Sequence, residues 1–322
     1  MRKIFFRENF RRVPYTEIGT VTEEHNLSEE YIEAIQNSFD KSDFQISELK
    51  VAADIMNGST SDIYPRIINE LGIDNIILNA HKSEKIKSAD VQKTQENMQN
   101  IVRAMNLDCG FIIYPNGHKL QLVDDEGNLI YDYKLLLVIL SLLNDVCYKK
   151  TLKVLLPAWA PDYIEYPNIE ITRAKLANFK SAELKEYDLI ADSDGHFAFS
   201  SFGLNRDSIF TSFKILQLLQ RSGKKISKIV KDIPDFVYEG ENIPCPDSLK
   251  GKMMRKFLED GKDKKTSSVD GVKIWMNDDE WILMVPDQHN EYLNLYVQAE
   301  DEKSAGKIFY SYQDKIEKWI SE

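Results

Sequence analysis

Short apolar runs alternate with amphipathic segments through the first two thirds of the chain. The run Leu49–Ile55 has the length of a buried strand, and the turn Asn57-Gly58-Ser59 follows it. Apolar residues then recur at helical spacing from Ile63 to Leu71, and Ile76-Ile77-Leu78 is a second short strand. This order predicts a βαβ unit, in which the two strands pair in parallel through a right-handed crossover.

The same alternation continues to about residue 233. It is preceded by a predicted helix from Leu27 to Phe39, which opens on the N-cap pattern Leu27-Ser28-Glu29-Glu30. The pattern predicts further elements, in chain order a helix at 96–105, strands at 109–114 and 120–123, a helix at 133–143, strands at 152–156, 169–172 and 189–191, and a helix at 208–219.

The last part of the chain follows a different order. A helix at 248–258 precedes three strands at 272–275, 281–285 and 293–298, and an amphipathic helix at 302–319 closes the sequence. Strands that follow one another, instead of alternating with helices, predict a small α+β domain. We therefore predict an α/β protein with an N-terminal arm and helix at 1–48, α/β domains at 49–148 and 150–233, and a C-terminal α+β domain at 236–322.

Charge and composition narrow the classes of partner. The 322 residues carry a formal net charge of -11, and the sequence pI is about 5.1. Because nucleic acids and anionic membranes attract basic surfaces, neither is an expected partner. The cysteines Cys109, Cys147 and Cys245 lie far apart, which predicts buried or incidental thiols and no disulfide framework.

Signals for export and for common cofactors are missing from the sequence. Residues 1–12 mix Arg and Phe without a continuous apolar stretch, and the longest apolar run, Leu135–Leu143, is far short of a bilayer span. We therefore expect a cytoplasmic protein. The sequence has no Gly-rich phosphate loop and no Gly-x-Ser-x-Gly motif, and its five histidines lack a paired metal spacing. No bound cofactor is predicted.

Several segments occur in the order in which α-D-phosphohexomutases carry theirs. Asp54–Ser59, with Ile77–Ala80 after the next helix, is similar to the start of the second domain of those enzymes. Asp207–Lys225 resembles the last helix of their third domain, and Trp281–Glu300 resembles their fourth domain. The resemblance covers nearly the whole chain. It implies parallel or mixed sheets with flanking helices in mutase-like domains 2 and 3, then a C-terminal domain 4, with domain 1 reduced to a remnant at 1–48.

The opening segment Phe5–Arg12 resembles a narrower group. It is similar to the junction that begins the mutase-like half of mannose-1-phosphate guanylyltransferase fusion proteins. This resemblance implies a sugar nucleotidyltransferase domain or chain as a partner. The reduced first domain also implies an apolar flank that is left for another chain, as in a homo-oligomer, or for an N-terminal partner domain.

Phosphohexomutases use four loops, one per domain, and the first two match this chain poorly. No segment here resembles the first loop, whose phosphorylated serine donates and accepts the phosphoryl group. The second loop, Asp-Gly-Asp-x-Asp-Arg, holds Mg²⁺ through carboxylates. At the matching positions Tyr114, Asn116 and His118 replace the three acids, and Lys119 adds a like charge. We therefore expect that the Mg²⁺ ligands of the family are lost.

Three acidic residues leave one alternative for a metal. Asp124, Asp125 and Glu126 lie beyond the next strand, in the turn of a predicted hairpin. A solvated turn is the preferred interpretation, and a displaced metal site is the alternative.

The third loop of the family, Gly-Glu-x-Ser-Gly-His, binds sugar hydroxyls and is partly kept. Its match runs from Ala191 through Asp192, Ser193, Asp194, Gly195 and His196. The two carboxylates are suitable acceptors for vicinal hydroxyls, and the glycine permits close approach. A residual sugar-binding site and a plain surface turn both remain open, since Ser, Asp and Gly also favour turns.

The fourth loop of the family, Arg-x-Ser-Gly-Thr-x-Pro, cradles a phosphate. The matching segment contains Asp287, Gln288, His289 and Asn290, with Val285 at the arginine position. A carboxylate at Asp287 repels a phosphate by roughly 1 to 4 kcal/mol at a separation of ~4 Å. We therefore expect that this loop has lost phosphate binding.

The resemblance and these losses lead to three hypotheses. The first is a non-catalytic, degenerate phosphohexomutase-like module of carbohydrate or sugar-nucleotide metabolism, which binds a sugar phosphate or sugar nucleotide weakly or docks a nucleotidyltransferase. The second is an active phosphomannomutase or phosphoglucomutase. The third is a purely structural oligomerisation module, which predicts that side chains fill the cleft near Asp192 and Asp287.

Overall fold

A computed structural model describes residues 13–45, 48–82, 91–130, 132–147, 149–162, 166–176 and 180–321. These residues form three β-sheets with helices packed around them. The predicted fold class, with parallel and mixed sheets, flanking helices and a C-terminal α+β part, is confirmed. The segment Phe5–Arg12, which carries the narrower resemblance, lies outside the described residues.

The first sheet is mixed. Its strands are β1 (Lys50–Asp54), β2 (Asp74–Leu78), β3 (Cys109–Ile113), β4 (Leu120–Val123) and β5 (Leu129–Ile130). They lie in the order β2-β1-β3-β4-β5, with β1 parallel to both of its neighbours and the last three strands antiparallel. The predicted βαβ unit is therefore confirmed, and the buried run of β1 fits a strand that is covered on both faces.

The second sheet repeats this plan on a smaller scale. Its strands are β6 (Leu152–Leu156), β7 (Ile169–Arg173), β8 (Leu189–Ala191) and β9 (Phe197–Phe199), in the order β7-β6-β8-β9. The first three pair in parallel, and β9 is antiparallel to β8. The carboxyl ends of β6 and β7 therefore point to the same edge of the sheet, where parallel sheets commonly bind ligands.

The third sheet is antiparallel throughout. It contains β10 (Val237–Pro244), β11 (Thr266–Ser267), β12 (Val272–Trp275), β13 (Trp281–Pro286) and β14 (Tyr292–Ala299), in the order β10-β14-β13-β12-β11. The sequence predicted three of these strands. It missed β10 because the middle of that edge strand is polar and exposed, and it missed β11 because two residues carry no pattern.

Ten α-helices lie in the described part of the chain. They are α1 (Leu27–Asn37), α2 (Ser42–Gln45), α3 (Tyr64–Glu70), α4 (Val91–Met105), α5 (Asp132–Val146), α6 (Ser181–Leu184), α7 (Ser208–Ser222), α8 (Ile226–Asp232), α9 (Asp247–Asp260) and α10 (Glu302–Ser321). Helix α7 shows why the predicted boundaries lie close to the observed ones. The Asp207 carboxylate caps its first turn by accepting the Phe210 N–H at 2.9 Å, and Gly223 ends it in the left-handed region at φ 63°.

The first two sheets share one hydrophobic core. Buried side chains from Ile32 to Phe236 form a continuous cluster, in which α5 and α7 pack against each other. A second core lies between the third sheet and the helices α9 and α10. Ala158 joins the second sheet to the third through contacts with Trp281, Leu283 and Val285. The predicted domain boundaries remain a prediction.

None of the helices that the structure describes has the length and apolar character needed to span a membrane.

Candidate functional site

A cavity of about 520 Å³ lies between the second and third sheets. One wall comes from the segments that follow β6 and β7, including Trp159 and Lys175, and from Arg206 just before α7. The opposite wall comes from the third sheet, including Asp270, Tyr296 and the loop that follows β13. The cavity therefore lies at the carboxyl ends of two parallel strands, where a ligand is held by loops on a rigid sheet.

Two aromatic rings form one side of the cavity. The rings of Trp159 and Tyr296 stack with centroids 6.1 Å apart and an angle of 16° between their planes. The hydroxyl of Tyr238 donates to the Trp159 carbonyl at 2.6 Å and so holds the tryptophan segment in place. Burial raises the pKa of Tyr296 to about 12, so its hydroxyl remains a neutral hydrogen-bond donor at ordinary pH. Such a pair offers a flat apolar surface beside a polar tip.

Two cations border the same cavity, and each is held by a carboxylate. The Arg206 Nη2 atom lies 3.0 Å from Asp192 Oδ2, while 51% of the arginine side chain remains exposed. The Lys175 Nζ atom lies 3.3 Å from Asp270 Oδ1, and the aspartate is buried. Because a guanidinium has five N–H donors, Arg206 keeps donors for a ligand after it pairs with Asp192.

In the loop at 191–196, the Asp192 carboxylate has several partners within the protein. That carboxylate is buried and accepts the backbone N–H of Asp194 at 2.9 Å, besides lying 3.1 Å from His196 Nδ1. Burial acts to raise the pKa of Asp192, but the hydrogen bond and charge of His196, the Asp194 N–H and the charge of Arg206 outweigh burial and lower it. Asp192 therefore orients Arg206 and closes its own turn.

The other residues of this loop lie nearer the surface or near Tyr238. The Ser193 hydroxyl is buried, 3.3 Å from the Tyr238 hydroxyl, and Asp194 is exposed. Gly195 has φ 81°, a backbone conformation that favours glycine. Whether Asp192, Ser193, Asp194, Gly195 and His196 bind a sugar stays a prediction.

The loop at 286–291 lines the cavity. The side chain of Asp287 in this loop accepts two of the loop's own backbone N–H groups. Asp287 Oδ1 accepts the N–H of His289 at 2.8 Å and the N–H of Asn290 at 2.7 Å. These hydrogen bonds hold the pKa of Asp287 below its usual value. On the other side of the loop, the buried Lys250 ammonium donates to the carbonyls of Asp287 at 2.8 Å and Asn290 at 2.6 Å. Gln288 and His289 are exposed at the cavity.

The loop at 114–119 adjoins the 191–196 loop. The Leu120 N–H donates to the Gly195 carbonyl at 3.0 Å, and the Gly117 carbonyl accepts the Ser208 N–H at 2.9 Å. Asn116 Oδ1 accepts the His118 N–H at 3.2 Å, and the Lys119 ammonium lies 5.4 Å from the ring centroid of Tyr114. A hard cation requires charged oxygens, and this loop presents an ammonium instead, so its residues do not fit Mg²⁺.

The three acidic residues of the following turn point to separate partners. Asp124 is buried and accepts the N–H groups of Glu126 and Asn128 at 3.0 and 2.7 Å. Asp125 accepts the N–H and hydroxyl of Ser227, and Glu126 pairs with Lys231. No group of three potential metal ligands occurs among the described residues. Each of these carboxylates therefore has a structural contact of its own.

Sequence reasoning missed the residues that build most of the cavity, among them Trp159, Lys175, Arg206, Asp270 and Tyr296. One signal was available: Trp159 lies between Pro157 and Pro161, directly after the buried strand β6. A tryptophan at the carboxyl end of a parallel strand marks a place where ligands bind. Arg206 gave no such signal, because only the folded chain brings it to the cavity.

Comparison with known proteins shows similarity to one superfamily. Residues 29–127 match the family model for the α/β/α domain II of phosphoglucomutase and phosphomannomutase. A probable phosphoglucosamine mutase of Pyrococcus horikoshii is 27% identical over 333 residues, which cover 100% of this chain and 72% of that protein. Phosphoglucosamine mutase of Methanocaldococcus jannaschii is 23% identical, covering 96% of this chain and 71% of that protein.

A solved structure supports the same relationship for the fold. A phosphoglucomutase/phosphomannomutase family protein from Burkholderia thailandensis superposes with a TM-score of 0.77 at 18% sequence identity. The match covers 99% of this chain and 69% of the other. This chain is therefore similar in sequence to phosphohexomutases over nearly its whole length, and it has their fold. The narrower resemblance to guanylyltransferase fusion proteins remains a prediction.

Proposed function

We propose that this chain is a member of the α-D-phosphohexomutase superfamily that binds a phosphorylated hexose in the cavity between its second and third sheets without transferring the phosphoryl group by itself. Cavities of roughly 300 to 1,000 Å³ hold small ligands, and this one measures about 520 Å³. The stacked rings of Trp159 and Tyr296 suit the apolar face of a pyranose. Arg206 and Lys175 supply positive charge for the phosphate.

The main evidence for binding without phosphoryl transfer comes from the hydrogen bonds within the 286–291 loop. Its N–H groups at His289 and Asn290, which are the natural donors to a phosphate at this place, already donate to the Asp287 carboxylate. An incoming phosphate would have to displace an attached anion of the same sign. The phosphate of the ligand is therefore expected at the Arg206 and Lys175 end of the cavity.

The composition of the 114–119 loop adds to this proposal. The carboxylates that hold Mg²⁺ in the family are replaced here, and Lys119 places a cation at the end of the loop. A loop without carboxylate ligands is not suited to hold the divalent cation that would neutralise the charge that develops during phosphoryl transfer.

An active mutase is the second candidate, because several relatives are named phosphoglucosamine mutase. It requires phosphate contacts outside the 286–291 loop and a metal site that the 114–119 loop does not offer. The purely structural hypothesis expected a filled cleft near Asp287, whereas an open cavity lies there. A sugar nucleotidyltransferase partner and self-association stay proposals that follow from the sequence resemblance alone.

Isothermal titration with matched arginine variants tests the proposal. The ligands are glucosamine 6-phosphate, mannose 1-phosphate, mannose 6-phosphate and GDP-mannose, each with and without Mg²⁺, with glucose and inorganic phosphate as fragments. A hydrogen bond to a charged group contributes about 1.5 to 3 kcal/mol, so Arg206→Gln is expected to weaken binding of the hexose phosphate by roughly tenfold or more.

Arg221→Gln is the matched control. Arg221 also pairs with one carboxylate, 2.7 Å from Asp43 Oδ2, and 45% of its side chain is exposed, but it lies outside the cavity. We expect it to bind the hexose phosphate as the wild type does. Equal losses in the two variants, or no saturable heat for any hexose phosphate, would contradict the proposed site.

A further inference from the structure

One carboxylate joins the tryptophan wall of the cavity to the third sheet. Asp162 Oδ1 lies 3.1 Å from Arg173 Nη2, and its Oδ2 lies 2.7 Å from Lys273 Nζ. The same Oδ2 accepts the indole N–H of Trp275 at 3.2 Å. Two cations and one neutral donor from β7 and β12 therefore converge on a single side chain of the segment that follows β6.

The segment 157–162, which carries Trp159, is held through this carboxylate and its neighbours. Arg173 Nη1 donates to the Ala160 carbonyl at 2.6 Å, and Arg173 Nη2 donates to the Pro161 carbonyl. The Asp162 N–H donates to Gln298 Oε1 of β14 at 2.8 Å. The position of Trp159 at the cavity thus depends on contacts that lie behind it and do not face the ligand space.

Lys273 is the unusual member of this group because it is a lysine with only 3% of its surface exposed. Its Nζ atom lies 3.6 Å from the ring centroid of Trp281 and 5.0 Å from that of Trp275. The charged groups that face it are Asp162, Arg173 and Lys265. Burial lowers the pKa of Lys273 from its ordinary value of 10.5 to about 7, and Asp162 opposes that shift.

We propose that Asp162 is a positioning residue for the hexose-phosphate cavity, and that the protonation of Lys273 controls how firmly it holds the Trp159 segment against the third sheet. Neither residue is among those that line the cavity. The inference rests on the proposed function for its effect on ligand binding. The effect of Lys273 protonation on the contact between the Trp159 segment and the third sheet does not depend on any ligand.

The direction of the pH effect follows from linkage. When the Trp159 segment is held in place, Lys273 is shielded and favours the neutral amine above pH 7. In any looser arrangement that admits water, the lysine regains its ordinary affinity for a proton. Holding the segment therefore releases a proton between pH 7 and 10.5, and each pH unit in that window favours the held arrangement by up to about tenfold.

A ligand that packs on Trp159 and Tyr296 binds the held arrangement, so its affinity should follow the same titration. We expect the Kd of the hexose phosphate to fall by about threefold or more between pH 7 and pH 9, with about 100-fold as the limit. Mannose 6-phosphate is the ligand for these Kd values, because the second ionisation of its phosphate lies near pH 6 and it has no amino group that titrates between pH 7 and pH 9.

The test combines tryptophan fluorescence of the unliganded protein with Kd values measured at pH 7, 8 and 9. An ammonium 3.6 Å from the Trp281 ring centroid is expected to give a fluorescence transition whose midpoint lies between pH 7, the limit for a fully held segment, and pH 10.5. Lys273→Met should abolish both the transition and the pH dependence of Kd. Asp162→Asn should move the midpoint to lower pH, since it removes the charge that favours the ammonium. The positioning role is read from the pH dependence of Kd, which Asp162→Asn should change and which an aspartate that contributed only to stability would leave as in the wild type.

Lys315→Met is the matched control for Lys273→Met. Lys315 also pairs with a carboxylate, 2.8 Å from Asp260 Oδ2, and lies 4.5 Å from the Tyr312 ring centroid, but 38% of its side chain is exposed. It should leave both readouts as in the wild type.

Three outcomes would overturn parts of the inference. Without a Lys273-dependent fluorescence transition, the proton-dependent contact is refuted. A transition with a Kd that does not change with pH refutes the positioning role. No binding of any hexose phosphate at any pH refutes the proposed function and with it the positioning role, while the transition would still support the proton-dependent contact.

Discussion

Replacement of Lys273 by methionine should change how the stability of the fold depends on pH. Methionine has an unbranched side chain of similar length and fills the space between Trp275 and Trp281 without a charge. The buried lysine has a pKa lowered from 10.5 to about 7. In the unfolded chain it regains its ordinary value, so between these limits the unfolded state binds more protons than the folded state.

The sign and size of the effect follow from this difference. The cost of the buried ammonium is fully present below pH 7 and is relieved as the pH rises toward 10.5. Wild-type stability should therefore gain about 1.4 kcal/mol per pH unit from this residue in that window. The full shift corresponds to a cost of order 5 kcal/mol at pH 7 and below. Lys273→Met should be more stable than the wild type at pH 7, by an amount that shrinks toward pH 9.

Urea denaturation at pH 7, 8 and 9 measures how the free energy of unfolding changes with pH in the wild type and in Lys273→Met. Because groups remote from Lys273 titrate identically in the two proteins, the difference between their free energies of unfolding isolates Lys273 and the charged groups that face it. Lys315→Met serves again as the control and should follow the wild-type slope. Parallel pH profiles for wild type and Lys273→Met would refute the argument that Lys273 is held in the fold as a neutral amine.

Two further predictions test the 114–119 and 286–291 loops. In Gly58→Ala, the new Cβ would lie 2.4 Å from the Pro115 Cα, so we expect urea denaturation to show a free energy of unfolding lower by about 1 to 3 kcal/mol. In the control Gly251→Ala, the new Cβ meets no atom within 4 Å, so the free energy of unfolding should rise by about 0.5 to 1 kcal/mol. Equal stabilities for the two variants would contradict the close packing of the 55–59 and 114–119 loops. Asp287→Gly frees the N–H groups of His289 and Asn290 and should bind inorganic phosphate more tightly than the wild type does, detected as greater broadening of the ³¹P resonance. The same line width in the two proteins would contradict the view that Asp287 occupies an anion site.

The elements that could be predicted from the sequence are those with a strong local pattern. The segment Ile63–Leu71 predicted a helix because its apolar residues recur at helical spacing, and Leu135–Leu143 predicted a buried helix because its apolar run is longer than an ordinary strand. The Asp207 cap and Gly223 marked the ends of α7 for the same local reason. The strand β10 lacked such a signature, because its polar residues face solvent at the edge of a sheet.

The site was harder to predict because it is assembled from distant segments. The 191–196 and 286–291 loops do come together, as Arg206 links Asp192 to the cavity that Asp287 lines. The sequence could not show that the Asp192 and Asp287 carboxylates accept backbone N–H groups of their own loops. That outcome depends on side-chain orientation, since the same residue types in the same order also suit a ligand site.

The central claim is best tested by ³¹P NMR of the protein with glucosamine 6-phosphate, Mg²⁺ and a small amount of a hexose 1,6-bisphosphate as phosphoryl donor. One spectrum reports both binding and turnover, because the 6-phosphate and 1-phosphate resonances are resolved. We predict that the 6-phosphate resonance broadens on titration, that Arg206→Gln removes the broadening, and that no glucosamine 1-phosphate resonance grows beside the constant signals of the bisphosphate. Steady growth of a 1-phosphate resonance would show an active mutase and contradict the account.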